Sequence, residues 1–279
     1  MYLENAKDEI RIESLEVYAY HGVFPKEKKR GQPFVINAVL YTDTRKAGKS
    51  DRLEQSTDYG DVCHFIEEWM VNNNCDLIET VAEKLAQAVL LKYDLICAID
   101  LEIRKPEAPI EQPFGCVSVR IYRKWHLVFL SVGSNMGDKR QYILDGVQAL
   151  REHPLIVVRK VSDLIETRPY GGVEQDDFLN GVLEIETLLT PHELLDALHE
   201  IEAAAERVRE VHWGPRTLDI DIIFYDKLVY EDDDLIIPHQ DMENRSFVLE
   251  PLSTLAPNYR HPVLGKTVAR LLREQTERK

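Results

Sequence analysis

The pattern of apolar residues completes one set of strands and helices by Arg123 and begins another at His126, with almost no linker between them. Two compact domains follow from that restart, 1–124 and 125–279, and a chain of 279 residues is long enough for each to bury its own core. In the first set, residues 9–17 alternate Ile10, Ile12, Leu15 and Val17 with charges, and 34–42 is rich in β-branched and aromatic residues, so both read as strands. Helical spacing follows over 58–72 and 77–93, where Ile78, Val81, Ala82, Leu85 and Val89 form one stripe. Strands over 97–104 and 116–123 complete a ββααββ order, which predicts an antiparallel sheet with both helices on one face. The second set reads strand 126–133, helix 139–151, strands 155–166 and 178–187, helix 191–208 and strand 218–225. That βαββαβ order is ferredoxin-like, so the fold class is α+β in both domains.

Composition narrows the partners. A formal net charge of -15 repels phosphate backbones and anionic lipid heads, so neither nucleic acid nor a membrane is expected as a partner. Met1 to Ile12 holds Glu4, Asp8 and Glu9 and no apolar run, and no segment approaches the ~20 apolar residues of a membrane span. Cys63, Cys75, Cys97 and Cys116 lie far apart with no Cys-x-x-Cys pair, which reads as reduced thiols in the cytoplasm. The acidic excess is larger after Lys124, so arginines that meet a phosphate substrate there have to be concentrated in a site.

Such a concentration exists. Asp219 and Asp221 flank Ile220 in a strand, and side chains at i and i+2 share a face roughly 7 Å apart. Two like charges beside an apolar run are costly without a cation, and oxygen-only ligands favour magnesium. An edge strand with alternating solvated acids is the other reading of that spacing. Before the pair come Trp213-Gly214-Pro215-Arg216-Thr217-Leu218, and before those Arg207 and Arg209. Arginine offers the planar paired donors that neutralise phosphoryl oxygens during transfer. The run Gly133 to Lys139 has the wrong spacing for a P-loop, so a phosphate site here is built differently.

Trp213 to Asp221, Val132-Gly133-Ser134-Asn135, Phe178-Leu179-Asn180, and Pro238-His239 with Asn244-Arg245 and Phe247 closely resemble 6-hydroxymethyl-7,8-dihydropterin pyrophosphokinase. The likeness covers nearly all of 126–275. It implies that Asp219 and Asp221 hold two magnesium ions bridging the phosphates of ATP, the co-substrate, and that Arg207 and Arg216 stabilise the moving diphosphate. It implies further that Phe178 and Phe247 sandwich the pterin ring, Asn180 reads its hydrogen-bonding edge, Trp213 belongs to the substrate site, and His239 and Arg245 contact ATP.

In the first domain, Tyr59 at a helix start, Glu79 at the edge of an apolar stripe and Lys105 at a strand end read by themselves as solvated element ends before they read as a site. Tyr18-Ala19-Tyr20-His21-Gly22 with Glu27 after it, Thr57-Asp58-Tyr59-Gly60, Leu77-Ile78-Glu79 and Ile103-Arg104-Lys105-Pro106 look like dihydroneopterin aldolase, a tunnelling-fold family. The resemblance implies that Glu79 anchors the pterin, that Glu27, Tyr59 and Lys105 handle proton transfer and the side-chain hydroxyls, and that no cofactor is needed. It also implies a homo-oligomer assembled through this domain, with Tyr59 the candidate residue reaching across subunits. A chain carrying both resemblances is expected to cleave 7,8-dihydroneopterin and then diphosphorylate the product. The alternative is a pyrophosphokinase fused to a non-catalytic oligomerisation or pterin-binding module.

Overall fold

The computed structural model describes residues 8–168, 176–205 and 217–278. They form two compact units, Met1–Trp125 and His126–Lys279. Among the described residues no helix is long and apolar enough to cross a membrane.

The first unit contains β1 (Asp8–Ala19), α1 (Pro25–Arg30), β2 (Gln32–Thr42), α2 (Arg45–Ser50), α3 (Tyr59–Asn72), α4 (Ile78–Lys92), β3 (Ala98–Lys105) and β4 (Val117–Lys124). The strands lie in the order β1-β2-β3-β4, all antiparallel, so among the described residues β1 and β4 are the edges. Strict alternation in β2 buries Gln32, Phe34, Ile36, Ala38 and Leu40 on one face, and β3 does the same with Ile99, Leu101, Ile103 and Lys105. Val62, Ile66 and Met70 of α3 and Val81, Ala82, Leu85, Ala86 and Val89 of α4 are buried with them. The short helices α1 and α2 were not expected from periodicity, since six residues are too few to show one.

The second unit contains β5 (His126–Ser134), α5 (Lys139–Glu152), β6 (Ile156–Val161), β7 (Ile165–Thr167), β8 (Phe178–Thr187), α6 (Pro191–Ala204), β9 (Asp219–Tyr225), β10 (Tyr230–Glu231), β11 (Ile236–Ile237), α7 (Ser246–Leu255) and α8 (Val268–Glu277). The sheet order β6-β8-β5-β9 with every pair antiparallel is the ferredoxin-like arrangement. The strand expected over 155–166 is two, β6 and β7, both paired to β8 and separated at Ser162 to Leu164. Helices α7 and α8 have no counterpart in the sequence expectation. They cover the second face of the sheet: Val128, Leu130 and Val132 of β5 enter one core with α5 and α6, whereas Leu127 and Phe129 enter another with Val248, Leu252 and Leu271.

Candidate active sites

The buried face of the first sheet ends in charge. Lys105 continues the Ile99-Leu101-Ile103 row and is only 8% exposed, so its ammonium is carried into the core by the strand's own alternation. A lone buried ammonium is strongly disfavoured. Glu27, on the first turn of α1 and 7% exposed, meets it with Oε1 at 2.5 Å from Nζ. The same oxygen accepts from the Gln32 side-chain amide at 3.1 Å, and Oε2 accepts from the Phe24 N–H at 3.0 Å. Burial alone would raise the Glu27 carboxyl; the bonds from Lys105, Phe24 and Gln32 outweigh it and hold the group below its usual range. Gly22, at φ 149°, leaves room for this: a Cβ there would lie 2.3 Å from the Glu27 carboxyl carbon.

Tyr59 and Glu79 stand exposed on the first turns of α3 and α4. The structure thus joins Glu27 to Lys105 directly and leaves Tyr59 and Glu79 open to solvent at helix starts. Gln32 was missed from sequence. The signal was present, because a glutamine in phase with Phe34, Ile36, Ala38 and Leu40 has to point into the core.

In the second unit one rung of the sheet carries two candidates. Gly133 pairs with Asn180 on one side and with Asp219 on the other, and Ser131 pairs with Val182 and Asp221 one step along. Phase along the strands puts Phe178, Asn180, Asp219 and Asp221 on the face that α7 and α8 cover. Gly133 is required here because a Cβ would fall 2.6 Å from the Asn180 Oδ1, so the asparagine lies across the strand between itself and Asp219. Its Nδ2 donates to Thr167 Oγ1 on β7 at 2.7 Å, which fixes the amide's orientation. Phe247 of α7 packs against the core on this same face, and the Arg245 guanidinium stands 5.8 Å from its ring centre. Arg245 Nε reaches Asp241 at 3.3 Å.

His239 is tied to β9 by its N–H to the Ile223 carbonyl at 3.1 Å. Burial, helped by the Arg245 charge and opposed by Asp241 and Asp219, brings its pKa down to about 4. Its Nδ1 accepts from the Asp241 N–H at 3.3 Å, so the ring proton sits on Nε2. The two strand carboxylates are half-buried, hard oxygen donors on one face of β9. That set fits magnesium, which takes one or two protein carboxylates and completes its shell with phosphate oxygens and water. Glu202, buried at 2% exposure near the end of α6, was missed from sequence. Its carboxylate accepts from the N–H of Ile220, between the two aspartates, at 2.8 Å. Arg207, Trp213 and Arg216, with Arg209, lie outside the described residues.

Residues 10–122 match the family described as dihydroneopterin aldolase, and residues 129–257 the family described as 7,8-dihydro-6-hydroxymethylpterin-pyrophosphokinase. The folic acid synthesis protein FOL1 of Dictyostelium discoideum is 33% identical over 291 residues, which take in 95% of this chain and 44% of that protein. The 2-amino-4-hydroxy-6-hydroxymethyldihydropteridine pyrophosphokinase of Bacillus subtilis is 42% identical over 130 residues, 47% of this chain and 78% of that protein. The crystal structure of E. coli dihydroneopterin aldolase in complex with neopterin is 28% identical, covers 42% of this chain and 98% of its own, and superposes with a TM-score of 0.39. Of the longer curated relatives it matches, FOL1 among them, the chain spans less than half.

Proposed function

We propose that this chain, which belongs to the dihydroneopterin aldolase family over residues 10–122 and to the 7,8-dihydro-6-hydroxymethylpterin-pyrophosphokinase family over residues 129–257, carries out two consecutive steps of folate biosynthesis. The first unit cleaves 7,8-dihydroneopterin to glycolaldehyde and 6-hydroxymethyl-7,8-dihydropterin. The second transfers a diphosphate from ATP to the new hydroxymethyl group and releases AMP. The observation that carries this reading is the agreement of the two units on one compound: the product assigned to the first is the alcohol assigned to the second.

In the dihydro substrate the ring C=N next to the side-chain carbon that is retained takes up the electron pair of the breaking C–C bond while the hydroxyl of the released carbon gives up its proton and the retained carbon takes one, so no Schiff base is required. Lys105 serves as the proton carrier. Glu27, with both oxygens engaged, holds that ammonium in place. Tyr59 handles the side-chain hydroxyls and Glu79 anchors the pterin amino group and ring nitrogen; both are exposed, as groups that receive a ligand need to be.

In the second unit Asp219 and Asp221 would hold magnesium, to which we assign two ions, and the metal supplies charge neutralisation and alignment of the phosphates. Phe178 and Phe247 bracket the flat ring, and Asn180, oriented by Thr167, reads its edge. His239 presents Nε2–H to the nucleotide and stays neutral near pH 7 because its pKa is low. Arg245 contacts ATP, Arg207 and Arg216 stabilise the moving diphosphate, and Trp213 belongs to the substrate site. We place the protein in the cytoplasm as a homo-oligomer built through the first unit. Its sheet has two open edges and helices on one face only, and Tyr59 is exposed for a neighbouring subunit.

Incubation with dihydroneopterin and MgATP should yield glycolaldehyde and AMP together. AMP formed only when 6-hydroxymethyl-7,8-dihydropterin is added would reject the aldolase, and ADP in place of AMP would reject the diphosphate transfer. Light scattering should find oligomers, with aldolase activity per chain falling on dilution while AMP formation holds. A monomer with undiminished aldolase activity would reject the assembly.

A further inference from the structure

Two hydrogen bonds clamp the segment that leads into α1 to the segment that launches α4. The Gly22 N–H donates to the Cys75 carbonyl at 3.0 Å, and the Cys75 N–H donates back to Nδ1 of His21 at 3.2 Å. Along the outside of the same junction Lys28 of α1 reaches Asp76 at 2.6 Å. His21 is fully buried and edge-on to Phe34, with ring centres 5.4 Å apart, and Lys105 Nζ stands 5.9 Å from that same ring. Since Nδ1 accepts, the imidazole is neutral with its proton on Nε2. Burial, with the Lys105 charge beside it, keeps it so, because a second proton would oppose a donor to the Cys75 N–H.

The aldol chemistry assigns nothing to His21. Its hydrogen bond ties the segment before Glu27 to the segment before Glu79: Gly22 makes room for Glu27, and Cys75 lies just upstream of Glu79. We propose that His21 is a positioning residue of the aldolase site, which by accepting from the Cys75 N–H sets the start of α4, and so Glu79, in register with Glu27 and Lys105. The inference rests on the assignment of Glu79 as pterin anchor and Lys105 as proton carrier. A pterin held at Glu79 is then delivered to Lys105 at a set distance. Loosening the clamp leaves the grip and spoils the delivery, so kcat falls while KM stays.

Asparagine places its Oδ1 where His21 has Nδ1, whereas glutamine places its acceptor where the ring has Nε2. Steady-state cleavage of dihydroneopterin by the full chain should therefore separate His21→Asn from His21→Gln, with kcat referred to pterin-binding sites counted by fluorescence quenching with an oxidised pterin. A misplacement of ~1 Å costs on the order of a hundredfold in rate, so His21→Gln should lose about tenfold or more in kcat with KM within about twofold, and His21→Asn should retain most of it. Equal kcat in the two variants, or a raised KM at unchanged kcat, overturns the clamp. If His21→Gln shows no binding sites, His21→Asn decides alone: near-native kcat supports the proposal and a large loss rejects it. Glu79→Gln tells the two layers apart. It should raise KM; if it does not, the anchor assignment is at fault, whereas a raised KM with indistinguishable His21 variants faults the clamp only.

Discussion

In the first unit the charged pair Glu27 and Lys105 is buried, bonded to itself and pinned by Gln32 and the Phe24 N–H, while in the second Asp219 and Asp221 stand half-buried on a strand whose backbone is held from behind by Glu202. The surroundings differ in the same sense. Among the described residues the first sheet has helices on one face and the second has helices on both. A site that moves protons gains from an ion pair made in advance and shielded from water, where the partners' fields act at short range. A site that takes in a polyanion with its cation has to leave its carboxylates reachable. Among the described residues both sheets end in edge strands, β1 and β4 in the first and β6 and β9 in the second, so it is the uncovered face that sets the first unit apart.

The contrast is broken most sharply by Asp219→Asn or Asp221→Asn. Either should lower AMP formation by on the order of a thousandfold, since metal-assisted charge neutralisation is worth several kcal/mol, with glycolaldehyde release unchanged. Loss of both activities would mean that the units do not work independently. Lys105→Ala is the mirror experiment, expected to cut glycolaldehyde release by about a hundredfold or more while AMP formation from supplied 6-hydroxymethyl-7,8-dihydropterin continues. Borohydride should trap no Lys105 adduct in the wild type; an adduct would replace the ring C=N by an imine as electron sink.

Stability against pH sharpens the comparison at a smaller scale. The pKa of His21 is lowered to about 4, chiefly by burial, so the unfolded chain binds the proton more readily than the folded one. Stability is then fully present above the ordinary histidine range near pH 6.5 and is lost as pH falls from there toward 4, by on the order of 3 kcal/mol. Glu27, held below its usual range, adds a loss at the acid end of that window. Denaturant melts of the full chain between pH 7 and 4 should show this in the aldolase signal, and His21→Asn should flatten it. A pH-independent melt would mean that His21 is protonated without penalty. The smallest effect expected is on the second unit: Glu202→Leu leaves the edge-strand N–H of Ile220 without its acceptor, a loss of about 1–3 kcal/mol in a thermal or denaturant melt. No change would show that water replaces the carboxylate.

Much of the fold was written in local pattern. Alternation in 34–42 and 97–104 and the stripe on 77–93 name their elements and their faces without outside help, because a period of two or 3.6 is a property of the backbone alone. The string Trp213 to Asp221, and the four short strings between Tyr18 and Pro106 taken together, likewise carry the family resemblances that imply the chemistry. What one dimension cannot hold is which charges meet. Lys105 reads as a solvated strand end until β3 is seen to carry it into the core beside Glu27, 78 residues earlier in the chain. Asn180 and Asp219 become neighbours across Gly133 only through the order β8-β5-β9. Helices α7 and α8, and Glu202 behind the aspartates, were invisible for the same reason: their apolar and acidic residues make sense only against a sheet face and a strand edge that the chain assembles from distant segments. Residue type and spacing are set by the sequence, while burial and pairing are set by the long-range packing that decides where each charge loses its water.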